Sequence, residues 1–161
     1  MSFRDKVLAL DALPAWRSSL RAKGKKLVVT NGCFDILHPG HVTYLEAARQ
    51  QGDALLVGLN SDASVRQLKG EGRPVNPEAD RATVLAALQS VDAVCVFPEV
   101  RATRFLSAAQ PDVYVKGGDF SVEELPGEER EIVEKAGGKI VTLGFVPGRS
   151  TTLLLEKIAR L

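Results

Sequence analysis

The chain has 161 residues, 45% of them apolar and 25% charged, with a net charge of +1 at neutral pH. That length predicts one domain, large enough to bury a core without disulfides or a structural metal. The small net charge gives no overall field for DNA, RNA or an anionic membrane, although a local basic cluster can still hold phosphate.

The two cysteines, Cys33 and Cys95, stand far apart and form no C-x-x-C pair, which fits a reducing compartment rather than a disulfide framework. The opening "MSFRDKVLALDALPAW" lacks the apolar run of a signal peptide, and no later run reaches about 18 apolar residues. The sequence therefore predicts a cytoplasmic protein with no nucleic-acid and no membrane partner.

Residues 1–24 carry the least pattern; "LPAWRSSLRAKG" reads as a helix at the domain edge or as part of an extension. "KKLVVTN" (25–31) is a β-branched run and predicts a buried strand. "PGHVTYLEAARQQG" (39–52) predicts a helix, with Pro39 at its start, Gly52 at its end and Val42, Leu45 and Ala48 as its apolar stripe. "DALLVGLN" (53–60) is the next strand, and Ser61 or Asp62 can cap a short helix running to Leu68. "KGEGRPVNPE" (69–78) is a polar loop suited to meeting a ligand. "EADRATVLAALQS" (78–90) is a helix with Val84, Leu85 and Leu88 on one face. A strand at 93–97, a helix at 101–110 and a strand at 112–118 ending in glycines follow. The last elements are a helix at 128–138 stopped by two glycines, a strand at 139–145 and a capped helix at 150–161.

This alternation of strands and helices predicts an α/β domain over residues 25–161, with a mostly parallel five-stranded sheet and helices on both faces. In such open sheets ligands bind beyond the carboxyl ends of the strands. That rule gathers Asn31–Asp35, Asn60–Asp62, Lys116–Asp119 and Gly148–Thr151 along one edge.

Both histidines of the chain, His38 and His41, fall at one strand-to-helix turn, "NGCFDILHPGHVTYL" (31–45). A helix start attracts anions through free N–H groups and its partial positive charge. Gly40 lets a ligand approach the backbone, and two imidazoles can donate to a phosphate in a transition state. The same spacing also suits a metal site or a plain helix cap. Zinc takes three or four protein ligands, however, and neither a third histidine nor an obvious cysteine cluster accompanies this pair.

"GCFDILHPGH" resembles the H-x-G-H signature of the nucleotidylyltransferase superfamily, which is Rossmann-like and transfers a nucleotide monophosphate to a phosphate-bearing acceptor. "GLNSDASVRQLKGEGRPVNPEADR", "PDVYVKGGDF" and "GRSTTLLLEKI" are similar to the nucleotidyltransferases of ADP-heptose synthesis, over residues 25–161. The resemblance implies AMP transfer from ATP to D-glycero-β-D-manno-heptose 1-phosphate with release of pyrophosphate. It implies Mg²⁺ on the triphosphate, a homodimer, and a separate heptose kinase upstream. A cytidylyltransferase using CTP and a small polyol phosphate, such as glycerol 3-phosphate, shares both the H-x-G-H element and "RSTT" (149–152), which resembles the superfamily's second signature. A non-catalytic nucleotide-binding module is the other alternative.

By the same resemblance His38, His41 and Lys69 are the catalytic candidates. Gly32, Cys33, Phe34, Gly40, Arg149, Ser150, Thr151 and Thr152 are expected around the triphosphate, and Asp35 is expected to orient a histidine or a metal-bound water, or to cap the helix. Asn60, Asp62, Arg73, Arg81, Lys116, Gly117, Gly118 and Asp119 are expected against the acceptor or just behind the site. No protein metal ligand is expected with confidence from these residues.

Overall fold

A computed structural model describes residues 1–118, 121–144 and 146–161. Asp119, and residue 145 at the end of the strand expected at 139–145, lie outside these residues.

Five parallel strands form one sheet: β1 Leu27–Gly32, β2 Ala54–Asn60, β3 Ala93–Phe97, β4 Val113–Gly117 and β5 Lys139–Leu143. Their order is β3-β2-β1-β4-β5. The helices are α1 Leu13–Ala22, α2 Pro39–Arg49, α3 Asp62–Lys69, α4 Glu78–Ala86, α5 Thr103–Ala109, α6 Gly127–Lys135 and α7 Thr151–Ala159. This is the Rossmann-like open α/β sheet expected from the alternating pattern.

Side-chain alternation divides the core into two layers. Leu27, Val29, Leu56, Cys95, Phe97 and Tyr114 face Leu13, Phe105, Leu106 and Val133, from α1, α5 and α6. Val28, Leu55, Val57, Val94, Val113 and Val115 face Leu45, Ala48, Ala82, Leu85 and Ala86, from α2 and α4. β2 is buried along its whole length, whereas the edge strand β5 is only half-buried.

Two helix faces differ from expectation. Leu45 and Ala48 are buried in α2, but Val42 is 46% exposed; in α4 Leu85 is buried while Val84 is 50% exposed. The buried positions in α4 are Arg81, Ala82, Leu85 and Ala86, so an arginine occupies the face that sequence pattern assigned to a valine.

The first residues of the chain lie along the β3 edge of the sheet, and α1 packs on one of its faces. Val7 pairs with Val94 of β3, and Leu8 N–H donates to the Val94 carbonyl at 2.8 Å. Lys6 Nζ donates to the Val91 carbonyl at 2.7 Å, in the connection between α4 and β3. Buried Arg17 donates to the Gln110 carbonyl and to Asp112, both at 2.9 Å. The free edge of β3 is thereby covered, which removes a template for edge-to-edge pairing. Among the described residues no helix is long and apolar enough to cross a membrane.

Strand order reverses between β1 and β4, because β2 and β3 lie on one side of β1 while β4 and β5 lie on the other. A crevice opens at such a switch point.

Candidate active site

The chain leaves β1 through Cys33 and Phe34. Phe34 has φ +45°, in the left-handed region, a conformation that costs a non-glycine residue about 1–3 kcal/mol. Its ring is buried and lies 5.3 Å from the His41 ring. Gly32 fits because a side chain there would meet the Phe34 ring at 3.0 Å. Among the described residues nothing accepts from the N–H groups of Cys33 or Phe34, so both are available to an anion.

His38 is the N-cap of α2, and its Nδ1 accepts from Gly40 N–H at 3.1 Å. An accepting Nδ1 puts the proton of the neutral ring on Nε2, which is then free to donate. The His41 N–H donates to the His38 carbonyl at 3.0 Å. The first N–H groups of α2 are therefore used internally, contrary to the expectation that they face an anion directly. What α2 offers is two imidazole edges.

Those imidazoles are stacked, with centroids 3.9 Å apart and planes 29° apart. Burial, and then His38, push the His41 pKa down to about 4; burial, and then Arg149, lower that of His38. His41 Nδ1 is buried with no hydrogen-bond partner among the described residues. The pair is neutral at pH 7. Between about pH 6.5 and 4 the unfolded chain binds a proton that folded His41 does not, so stability falls as pH drops through that window. The loss should amount to about 2–3 kcal/mol after allowing for the ring's partial exposure. Chemical denaturation of wild type and His41→Gln should show the variant with the shallower decline over this range. Parallel curves would mean that His41 is not held neutral.

The second helix start meets the first. Ser150 caps α7, its Oγ accepting from Leu153 N–H at 3.0 Å. Thr151 Oγ1 donates to the Ile36 carbonyl at 3.1 Å. A side chain at Gly40 would lie 2.8 Å from the His38 ring and 3.1 Å from Arg149 Cβ, so the absent side chain is what lets the two turns touch. Among the described residues no acceptor takes the N–H groups of Thr151 and Thr152, and the exposed Arg149 makes no side-chain hydrogen bond. Lys69, the last residue of α3, is exposed, and its charge acts on the Cys33 thiol together with those of Arg81 and Arg73. Burial outweighs these charges and raises the thiol's pKa. The arrangement gathers cations, free N–H donors and neutral imidazoles about one turn, which is what a polyphosphate chain requires.

A second set of the expected residues supports this turn instead of facing its open side. Asp35 is buried and accepts from Val75 N–H at 2.8 Å, Asn76 N–H at 2.9 Å and Arg73 Nε at 2.9 Å. These donors hold its carboxyl below the ordinary range despite burial, so Asp35 ties the 73–76 loop to the turn. It makes no contact with either histidine among its hydrogen bonds. Arg81, 0% exposed at its side chain, donates to the carbonyls of Cys33 at 2.7 Å, Asn60 at 2.9 Å and Asn76 at 2.9 Å, and to Asp62 at 2.8 Å. Asn60 also donates from its side chain to Ser64 Oγ at 3.2 Å.

A third set lies on the opposite face of the sheet. Lys116 Nζ reaches Asn31 Oδ1 at 3.2 Å, and Tyr114 Oη reaches the same oxygen at 2.7 Å. Gly117 ends β4, and Gly118, at φ +135°, donates to the Leu143 carbonyl at 2.9 Å. Sequence pattern placed Asn31 at this edge without a role, and it did not single out Tyr114 or Glu129. The alternation of β1 and β4 puts Asn31, Tyr114 and Lys116 on one face, but only the strand order makes them neighbours.

Among the described residues no group of three or more His, Cys, Asp or Glu side chains is placed to hold a metal ion.

Comparison with known proteins agrees with this geometry. The bifunctional protein HldE of Geotalea uraniireducens is 53% identical over 153 residues, 95% of this chain and 31% of that protein. The bifunctional protein HldE of Methylobacillus flagellatus is 51% identical over 155 residues, 96% of this chain and 31% of that protein. The chain thus spans about a third of the length of these relatives. The crystal structure of the lipopolysaccharide core biosynthesis protein from Thermoplasma volcanium superposes with a TM-score of 0.63 at 27% identity, covering 76% of this chain and 98% of that one. The family model described as cytidylyltransferase-like matches residues 29–155, from β1 through both helix starts into α7. On that match the chain belongs to the cytidylyltransferase-like family.

Proposed function

We propose that this chain is a nucleotidyltransferase that moves AMP from ATP to D-glycero-β-D-manno-heptose 1-phosphate, forming ADP-heptose and pyrophosphate. The observation that carries the reaction class is the contact of two phosphate-binding helix starts, with stacked His38 and His41 on one side and Arg149, Thr151 and Thr152 on the other. The heptose acceptor is supported by the likeness of the VKGGD and RPVNP blocks to ADP-heptose synthesis.

In this reading the acceptor's phosphate oxygen attacks the α-phosphorus in line. A new P–O bond forms as the bond to the β-phosphate breaks, and pyrophosphate departs. The attacking oxygen is already anionic, so no general base is needed, and catalysis is alignment and charge neutralisation. His38 donates from Nε2, and the neutral His41 ring donates its own N–H to the phosphate oxygens. The Cys33 and Phe34 N–H groups and those of Thr151 and Thr152 bind phosphate oxygens. Lys69 and Arg149 supply fixed charge, while Asp35, Arg73 and Arg81 hold the turn. Mg²⁺ bound to the triphosphate supplies further neutralisation. The cytoplasm, where ATP is made, suits two free thiols. The acceptor must come from a sugar kinase.

The test is pyrophosphate release in Mg²⁺ with ATP or CTP, each offered heptose 1-phosphate or glycerol 3-phosphate. Release with ATP and heptose 1-phosphate alone is the expected result. Release with CTP and glycerol 3-phosphate would keep the mechanism and replace both substrates. No release from any pairing would overturn the proposal in favour of a binding module.

A further inference from the structure

The face of the sheet away from α2 carries a polar group that the phosphate chemistry does not use. Asn31 is the penultimate residue of β1 and Lys116 that of β4, the two strands that flank the switch point. Asn31 Oδ1 accepts from Tyr114 Oη at 2.7 Å and from Lys116 Nζ at 3.2 Å. Lysine can only donate, so the carboxamide oxygen must face inward and its nitrogen must face away. That nitrogen has no hydrogen-bond partner among the described residues, and Asn31 is only half-buried.

The support behind this one amide is extensive. Tyr114 is fully buried and Glu129 is 5% exposed. Glu129 Oε1 accepts from Ala102 N–H at 3.0 Å, and its charge offsets part of the cost of burying the Lys116 amine. The amine also lies 5.4 Å from the Tyr114 ring centroid. Replacing such a buried ionic group with apolar side chains of similar volume is often neutral or stabilising. Its evident effect is to fix the direction of the Asn31 amide, beside the turn where phosphate binds. A neutral N–H donor in that position matches a neutral oxygen, and the reactants of the proposed reaction both carry sugar hydroxyls.

Resting on the proposed nucleotidyl transfer, we propose that Asn31, held by Tyr114 and Lys116, determines specificity by donating a hydrogen bond from its carboxamide nitrogen to a sugar hydroxyl of a bound reactant. The sugar is that of the acceptor or the ribose of the nucleotide, and substrate analogues tell them apart.

The test compares wild type, Asn31→Asp and Asn31→Leu. Asn31→Asp keeps an oxygen for Tyr114 and Lys116 but removes the donor; Asn31→Leu removes both. Wild-type turnover with ATP and heptose 1-phosphate is measured first, so its absence would count against the proposed function alone. The expected result is a rise of about tenfold or more in KM for one reactant, the size of one lost hydrogen bond. The KM of the other reactant, kcat, and the melting temperature of Asn31→Asp should hold within about twofold or a few degrees. A rise confined to the acceptor assigns the acceptor's sugar. A rise for ATP that disappears with 2′- or 3′-deoxy-ATP assigns the ribose. Unchanged KM values in both variants, or losses that follow only the melting temperature, would overturn the proposal. Should wild type not turn over, calorimetry of ATP, its deoxy analogues and heptose 1-phosphate in the same variants is the deciding measurement. Unchanged affinities for all of them would overturn it too.

Discussion

His41→Ala should lower kcat for pyrophosphate release by about 10²–10³-fold, the loss of about 2.7–4 kcal/mol seen when one preorganised donor is removed from a transition state. The fold should survive the change. His41 Nδ1 has no hydrogen-bond partner to lose, and the ring's contacts are with His38 and Phe34. His38 needs a different substitution, because its Nδ1 caps α2 through Gly40. Loss of a cap costs about 1 kcal/mol by itself. Asparagine is a good N-cap, so His38→Asn keeps the cap and removes the donating Nε2. It should match His41→Ala in kcat while melting within a few degrees of wild type. Near-normal turnover in either variant would remove that ring from the chemistry.

Arg81→Leu should be the most destabilising single change near the site, by about 3–5 kcal/mol. Its guanidinium makes four hydrogen bonds, to Cys33, Asn60, Asn76 and Asp62, and the side chain is wholly buried. Leucine would leave three carbonyls short of a donor and Asp62 without its partner. For a chain of this length the melting point should drop by about 10 °C or more. Arg81→Lys should recover little, since an ammonium cannot span the same fork of acceptors. Arg104 is the control. It pairs with Glu99 at 3.0 Å with its side chain 70% exposed, and Arg104→Ala should leave the melting point almost unmoved. Equal effects at the two positions would show that the Arg81 network carries no special weight.

The contrast between Arg81 and the histidine turn shows what a linear pattern can convey. The strands were legible because each is a short apolar run closed by a turn signal, and β3 falls on the expected residues 93–97. The two helix starts were legible because caps and glycines are local features. Contacts that join distant residues were not. Asp35 binds residues 38–41 positions away and Arg81 reaches back 48 positions to Cys33, so neither role leaves a local trace. The same limit applies to Asn31, whose partner Lys116 becomes a neighbour only because β4 pairs with β1. The α2 start was misjudged for another reason. The sequence shows free N–H groups at any helix start, and only coordinates show that His38 occupies one of them.

Helix α7 has a consequence of its own. It carries Arg149, Ser150, Thr151 and Thr152 at its leading end, yet none of its described residues is buried, and Leu153 and Ile158 are 50% and 57% exposed. Among the described residues its leading end is fastened by one hydrogen bond, Thr151 to Ile36, and by the close approach of Arg149 to Gly40. Half of the proposed phosphate site therefore rests on a weak joint. Any ligand that bridges the two halves must also contribute the free energy of seating this helix, so measured affinity understates the strength of the contacts themselves. The same weakness would ease release: an anion bridging the two helix starts needs only this lightly held helix, and not the sheet, to give way.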